Sequence, residues 1–299
     1  MKRYKDIVGD AGSNIIGQVS EQQARLAQRL ASVEHVVAVV SGKGGVGKSV
    51  LTVNLATALA EGGLTVGIVD ADINGPAIAK MTGLRGRRLG LGEEGIEPPI
   101  GPAGLRVMSM DLLLPAEAAP VIWETSVQSN AYVWRETMEM GALREFLADT
   151  RWGRLDFLFA DLPPGADRVP NIVELLPQLS GLLFVTVPSE VSQLAVKRSL
   201  SRAQGLGASI LGVVENMAGY FCRECGKVGP LFEGGEAVRA MAEEAGVPYL
   251  GAVPFDPEVA RSADAGAPHV LARGKGPAAE AMRKIAETIR VSVMSNPSH

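Results

Sequence analysis

The chain has little of several things, and each scarcity excludes a class. Its 299 residues include two cysteines, Cys222 and Cys225, too few for a disulfide framework. The three histidines, His35, His269 and His299, stand apart, and none has metal-ligand spacing to a neighbour. Aromatics make up 5%. No uncharged apolar run approaches the roughly 18–20 residues that span a bilayer. Met1 to Asp10 is polar with no apolar stretch after it, so no secretory signal is expected. Neither sign of charge dominates: 29 Lys and Arg against 33 Asp and Glu give a net charge of −4. That balance argues against binding nucleic acid through bulk positive charge. The expectation is a cytoplasmic chain with no membrane and no nucleic-acid partner.

What is present is length and apolar content, 46%, enough to bury a core without staples. Short apolar runs recur at Val36 to Val40, Thr65 to Val69, Leu105 to Met108, Leu155 to Ala160, Leu182 to Val187, Ser209 to Val214 and Tyr249 to Val253. Most are continuous rather than alternating, the pattern of parallel strands covered on both faces. Helical patterns at Val50 to Ala60, Glu136 to Ala148, Val191 to Gln204, Glu236 to Ala245 and Ala278 to Val293 separate or follow them. This is the signature of right-handed βαβ units in a mostly parallel, doubly wound α/β sheet. Residues 1–33 read as an N-terminal extension, with a Ser20-x-x-Gln23 capping box opening a helix that carries Leu26 and Leu30. Residues 34–295 read as one domain. Two irregular stretches interrupt it: Gly83 to Gly104, with seven glycines, three prolines and a solvated arginine cluster (Arg85, Arg87, Arg88), and Ala116 to Tyr132.

The sharpest motif is Gly42-Lys43-Gly44-Gly45-Val46-Gly47-Lys48-Ser49, placed after a predicted strand and opening a predicted helix. It satisfies the phosphate-loop pattern G-x-x-x-x-G-K-[ST]. The glycines let backbone N–H groups turn onto phosphate oxygens at a helix N-terminus. Lys48 would bridge the β- and γ-phosphates of ATP and the Ser49 hydroxyl would ligate Mg²⁺. Val50 follows the motif and keeps a backbone N–H for the α-phosphate. The run Leu155 to Asp161 ends an apolar strand in a carboxylate, where Asp161 would hold Mg²⁺ through water, and Leu162-Pro163-Pro164-Gly165 then leaves the sheet. Asp70-Ala71-Asp72 ends another strand at the carboxyl edge, where open α/β sheets bind ligands, with Asp70 the weaker functional candidate.

The cysteines form a Cys222-x-x-Cys225 pair, a spacing that lets two thiolates share one metal centre. Two ligands complete neither a zinc site nor a cluster, and the same pair on a second subunit is the most economical supplement. A thioredoxin-like redox pair, a shared structural zinc and a bridging iron–sulfur cluster all remain open on spacing alone.

With Lys43 as a second, early lysine, the loop resembles the deviant Walker A motif of the MinD/ParA/nitrogenase-iron-protein group. In that group the early lysine reaches a partner's nucleotide, which implies a homodimer and a catalytic role for Lys43. Asp72 matches the group's switch I aspartate, implied to position the attacking water or the Mg²⁺ shell. Further residues narrow the resemblance: Asp70 to Pro76, Pro120-Val121-Ile122-Trp123, Asp161 to Gly165, Val191 to Lys197, Glu215-Asn216-Met217, Cys222-x-x-Cys225 and Pro254-Phe255-Asp256-Pro257. Together they resemble the Mrp/ApbC branch of P-loop ATPases, the iron–sulfur cluster carriers, over roughly residues 34 to 260. The resemblance implies a P-loop NTPase fold and ATP hydrolysis. It further implies a labile 4Fe–4S cluster between two cysteine pairs and delivery of that cluster to apo-proteins, with zinc as an alternative occupant. It also implies adenine contacts at Asn216 and packing near the base at Pro254. The chain departs from the family where Ala166-Asp167-Arg168 replaces Thr-Gly-Asp and puts a cation in switch II, and where Trp123 to Arg135 looks expanded. Two other classes compete. A positioning ATPase would carry a basic amphipathic terminal helix, whereas the last helix mixes Arg283, Lys284 and Arg290 with Glu280 and Glu287. A metal-charging GTPase would carry Asn-Lys-x-Asp, which Asn216-Met217 is not.

Overall fold

The computed structural model describes residues 15–87, 89–92, 95–114, 131–165, 167–176, 178–232, 236–272 and 276–295. In chain order its elements are α1 (Ile15–Leu30), β1 (Val33–Ser41), α2 (Lys48–Glu61), β2 (Val66–Asp70), α3 (Ile78–Met81), β3 (Gly90–Gly92) and β4 (Gly95–Glu97). They continue through β5 (Arg106–Met108), α4 (Ala131–Asp149), β6 (Leu155–Asp161), α5 (Arg168–Leu175), β7 (Leu179–Thr186), α6 (Glu190–Gly205) and β8 (Ile210–Phe221). The last are β9 (Val228–Gly229), α7 (Ala237–Glu244), β10 (Tyr249–Phe255), α8 (Pro257–Asp264), α9 (His269–Ala272) and α10 (Pro277–Ser295).

The main sheet runs in the order β10-β8-β7-β1-β6-β2-β5 with parallel neighbours, and β9 adds an antiparallel pair to the end of β8. The expected parallel α/β architecture is therefore the observed one. Continuous apolar strands serve two cores at once. On β1, Val36, Ala38 and Val40 enter one cluster while Val37 and Val39 enter the other, all at most 1% exposed. One core lies under α1, α4, α5 and α6, the other under α2, α9 and α10. Strands β1 and β6 are central neighbours with Val39 opposite Asp161, and β2 flanks β6 with Asp70 opposite Asp161. Three chain segments that leave the carboxyl ends of β1, β2 and β6 thus converge at one edge, where a doubly wound sheet binds its ligand.

Several local expectations are corrected. The helix that holds Leu26 and Leu30 already runs through Ser20, so the Ser-x-x-Gln there is no N-cap. Helix α4 begins at Ala131 rather than Glu136, so the end of the second irregular stretch is helical; residues 115–130, including Pro120 to Trp123, lie outside the described residues. The glycine-rich excursion contains a two-stranded ribbon, β3–β4, and Arg85 is not simply solvated but pairs with the buried Asp111 at 3.1 Å. Alanine at Phe159, fully buried on β6, removes core volume directly beneath the converging loops. Phe159→Ala is expected to cost about 3–5 kcal/mol, read from urea unfolding midpoints; a loss below about 1 kcal/mol would contradict this packing.

Candidate functional site

The phosphate loop takes its shape from its glycines. Gly45 and Gly47 have φ of 81° and 80°, in the left-handed region that glycine enters without a Cβ penalty. Gly42 is small for another reason: a Cβ there would stand 2.7 Å from the backbone of Ala195 on α6, so loop and helix touch directly. Gly47 caps α2, which leaves the first N–H groups of that helix facing the loop's concavity. A pocket of about 210 Å³ opens there, bordered by Lys43, the loop backbone to Val50, Asp72 and Pro164.

Behind Lys48 and Ser49 of that lining lies the Asp161 carboxylate, fully buried. Lys48 Nζ lies 2.7 Å from Asp161 Oδ2, and the Ser49 hydroxyl donates to the same oxygen at 2.5 Å. The Thr52 hydroxyl donates to Oδ1 at 2.7 Å. Hydroxyl and carboxylate oxygens side by side form the hard donor set that Mg²⁺ takes, so Ser49 and Asp161 fit that ion. Thr52 was not foreseen, although it lies one helical turn beyond Lys48 and Ser49 and shares their face.

Asp70 stands opposite Asp161 in the β2–β6 ladder, outside the pocket lining, and caps the turn that follows β2. It is 1% exposed, and its Oδ2 accepts from the backbone N–H of Ala77 at 3.0 Å and Ile78 at 3.1 Å and from the Ser109 hydroxyl at 3.0 Å. Burial first, and then the neighbouring Asp161 charge, push its pKa from 3.8 up to about 7. Asp72 borders the pocket while its Oδ1 accepts from the Gly75 N–H at 3.2 Å, closing the turn that carries it. Lys43 is exposed at the pocket's mouth. Asn216 Nδ2 donates to the Val46 carbonyl at 2.8 Å, and the following Met217 adopts φ 56°, an uncommon value, where the register of β8 against β10 shifts. Pro254 follows Val253, which pairs with Asn216, and stands outside the lining of this pocket. A larger groove of about 1000 Å³ lies at the amino ends of the strands. Its arginines pair with Asp149 and Glu97 and donate to the Ala148, Trp152 and Arg154 carbonyls.

The cysteines sit at the tip of the β8–β9 hairpin, where Phe221 pairs with Val228. The Cys222 N–H donates to the Lys227 carbonyl at 2.9 Å and the Gly226 N–H to the Cys222 carbonyl at 2.8 Å, folding the chain into a tight knuckle. The Cys225 N–H, the Cys225 thiol and the Glu224 N–H stabilise a thiolate at Cys222 and lower its pKa. Arg223, between the cysteines, donates to both oxygens of Asp256, Nε at 3.2 Å and Nη2 at 3.0 Å. Asp256 in turn caps α8, accepting from the Glu258 N–H at 2.9 Å ahead of Pro257 in the first turn. Among the described residues no cluster of three or more His, Cys, Asp or Glu is arranged to hold a metal, so one chain offers this knuckle two thiolates.

Comparison with known proteins gives the family. The model of the ParA family described as NUBPL iron-transfer P-loop NTPase matches residues 32–290. The chain belongs to this family. Among its relatives, the iron–sulfur cluster carrier protein of Saccharolobus solfataricus is 43% identical over 93% of this chain and 90% of its own length. The cytosolic Fe–S cluster assembly factor NUBP2 of Bos taurus is 38% identical over 87% of this chain and 93% of its own. A solved nucleotide-binding protein of Archaeoglobus fulgidus in complex with ADP superimposes with a TM-score of 0.68 at 32% identity, covering 82% of this chain and 91% of that one. The MinD cell division ATPase of Pyrococcus furiosus shares the fold, with a TM-score of 0.59 at 22% identity over 86% of this chain and 98% of that one. No helix among the described residues of this P-loop NTPase is long and apolar enough to cross a membrane.

Two measurements test the site. An unfolded Asp70 carboxyl releases its proton near 3.8, whereas the folded one holds it to about pH 7. Its contribution to stability is therefore full below pH 3.8, declines as pH rises and is gone above about 7. Asp70→Asn should flatten that decline in nucleotide-free unfolding curves; an unchanged pH profile would contradict it. The alkylation midpoint of Cys222 should lie below the free-thiol value of about 8.5, and Cys225→Ala should move it upward; a midpoint at or above that value would contradict the knuckle.

Proposed function

We propose that this chain is an ATP-hydrolysing carrier of iron–sulfur clusters, acting as a cytoplasmic homodimer that holds a 4Fe–4S cluster between two knuckles and hands it to apo-proteins. One observation carries the reading: a single strand, β8, bears Asn216 against the phosphate loop and ends at Phe221, next to Cys222 of the knuckle. Nucleotide site and cargo site are thereby built on one continuous element. The carrier names of relatives at about 40% identity over most of the chain support the cargo, and the ADP complex of the Archaeoglobus protein supports the nucleotide.

Each residue has a physical task in this scheme. The N–H groups of Gly44 to Val50 and the dipole of α2 receive the phosphates. The ammonium of Lys48, paired with Asp161 at 2.7 Å, is the cation available to the β- and γ-oxygens. Ser49 and Asp161 would hold Mg²⁺, which would supply positive charge against that developing on the phosphates. Asp72, already at the pocket's rim, orients the attacking water. Lys43 is exposed where a second copy could approach, and from there it would reach the partner's nucleotide. The cluster is cargo: two thiolates from each of two chains supply its four ligands. Arg223, clamped on Asp256, fixes how the knuckle stands on the sheet.

A positioning ATPase remains the second reading. The MinD structures are 20–22% identical and carry only the fold. Anaerobic reconstitution with iron and sulfide separates the two. The wild type should become a brown dimer with about four irons per two chains, and Cys222→Ala should stay colourless while still binding ATP. A colourless wild type that binds ATP would overturn the carrier reading. Lys48→Ala should lower ATP turnover by about 10²-fold or more without altering the colour of the reconstituted protein; unchanged turnover would remove the phosphate loop from the mechanism.

A further inference from the structure

Glu139 lies in α4, on a helix whose Leu143, Phe146 and Leu147 are core residues, and it is 6% exposed. A carboxylate so buried needs charged or hydrogen-bonding partners. Its two oxygens are divided between the two loops that flank the nucleotide pocket. Oε1 accepts from Asn74 Nδ2, two residues past Asp72 in the loop after β2. Oε2 pairs with Arg168 Nη2 at 2.8 Å, at the start of α5 and just past Pro163-Pro164-Gly165. Arg168 is the cation that departs from the family's Thr-Gly-Asp pattern, and α4 supplies its counter-charge. Ala71 and Pro163, from the same two loops, meet beside Glu139 over a small apolar cavity. The next residue back, Asp167, pairs with Arg202 of α6 at 2.5 Å, the helix against which Gly42 packs.

We propose that Glu139 is a positioning residue that latches the loop of Asp72–Gly75 to the loop of Asp161–Arg168, so that both answer the nucleotide as one body. Neither loop can shift toward a phosphate without drawing on the shared carboxylate. A change sensed at Asp72 is therefore delivered to the segment that follows Asp161, and through Asp167 to α6. The contacts of the latch stand on the geometry alone; only its consequence for turnover rests on the ATPase reading above.

Amide hydrogen exchange of the nucleotide-free wild type and of Arg168→Gln, Asn74→Ala and Glu139→Gln tests it. Arg168→Gln should speed exchange about five-fold or more across 167–176 and also across 72–78, on the far side of the carboxylate. Asn74→Ala, at an exposed position, should do the converse, and Glu139→Gln should loosen both. ADP affinity within about two-fold of wild type marks each variant as folded. Under ATP, kcat should fall about ten-fold or more with KM within about two-fold, as expected when reacting groups are misplaced rather than substrate lost. Variants that loosen only their own loop would overturn the latch, as would equal losses in kcat and in ADP affinity. A wild type that turns over no ATP would sink the ATPase reading, while the exchange pattern would still decide the latch.

Discussion

The structure is organised around one buried charge. Asp161 ends the strand β6 with no solvent exposure, and an ionised group there is tolerable only with charged and hydroxyl partners at hydrogen-bond distance. Lys48, Ser49 and Thr52 provide them, all from the first turn and a half of α2. That requirement fixes the register of α2 over the sheet and therefore the curl of the loop before it. It explains why Gly47 must enter the left-handed region and why β1 and β6 are neighbours. Burial at the same edge, and after it the Asp161 charge, raise the pKa of the neighbouring Asp70.

From that edge two physical lines leave the pocket. One is β8, which touches the phosphate loop through Asn216 and delivers Cys222 to the hairpin tip, where Arg223 anchors the knuckle on Asp256. The other is Glu139, which binds both nucleotide-flanking loops from behind. A carrier needs coupling of this kind, because a nucleotide can shift cargo affinity only by contacting two states differently. Short, packed connections through strand and buried carboxylate give such states somewhere to differ.

Much of this was legible in the sequence because the governing chemistry is local. The loop from Gly42 to Ser49, the strand ending in Asp161 and the Cys222-x-x-Cys225 pair each carry their chemistry within a few residues. The parallel sheet followed from continuous apolar runs. What escaped depends on side chains that meet only after folding. Thr52 looks like any helical threonine until Asp161 arrives beneath it. Glu139 looks like a surface glutamate in a mixed helix, and Arg168 like an isolated departure from a motif, until the fold brings them to 2.8 Å. The Ser20-x-x-Gln23 pattern misled for the opposite reason: a local capping signal was overridden by a helix that already ran through it.

With β8 running from the phosphate loop to the cysteine knuckle, the proposed carrier couples nucleotide site and cargo site energetically. The direct measurement is the rate at which a chelator strips iron from the reconstituted protein, compared without nucleotide, with ADP and with a non-hydrolysable ATP analogue. Coupling of the usual size, about 1–3 kcal/mol, predicts rates that differ about 5- to 150-fold between nucleotide states. Identical rates in all three, with nucleotide shown to be bound, would contradict it.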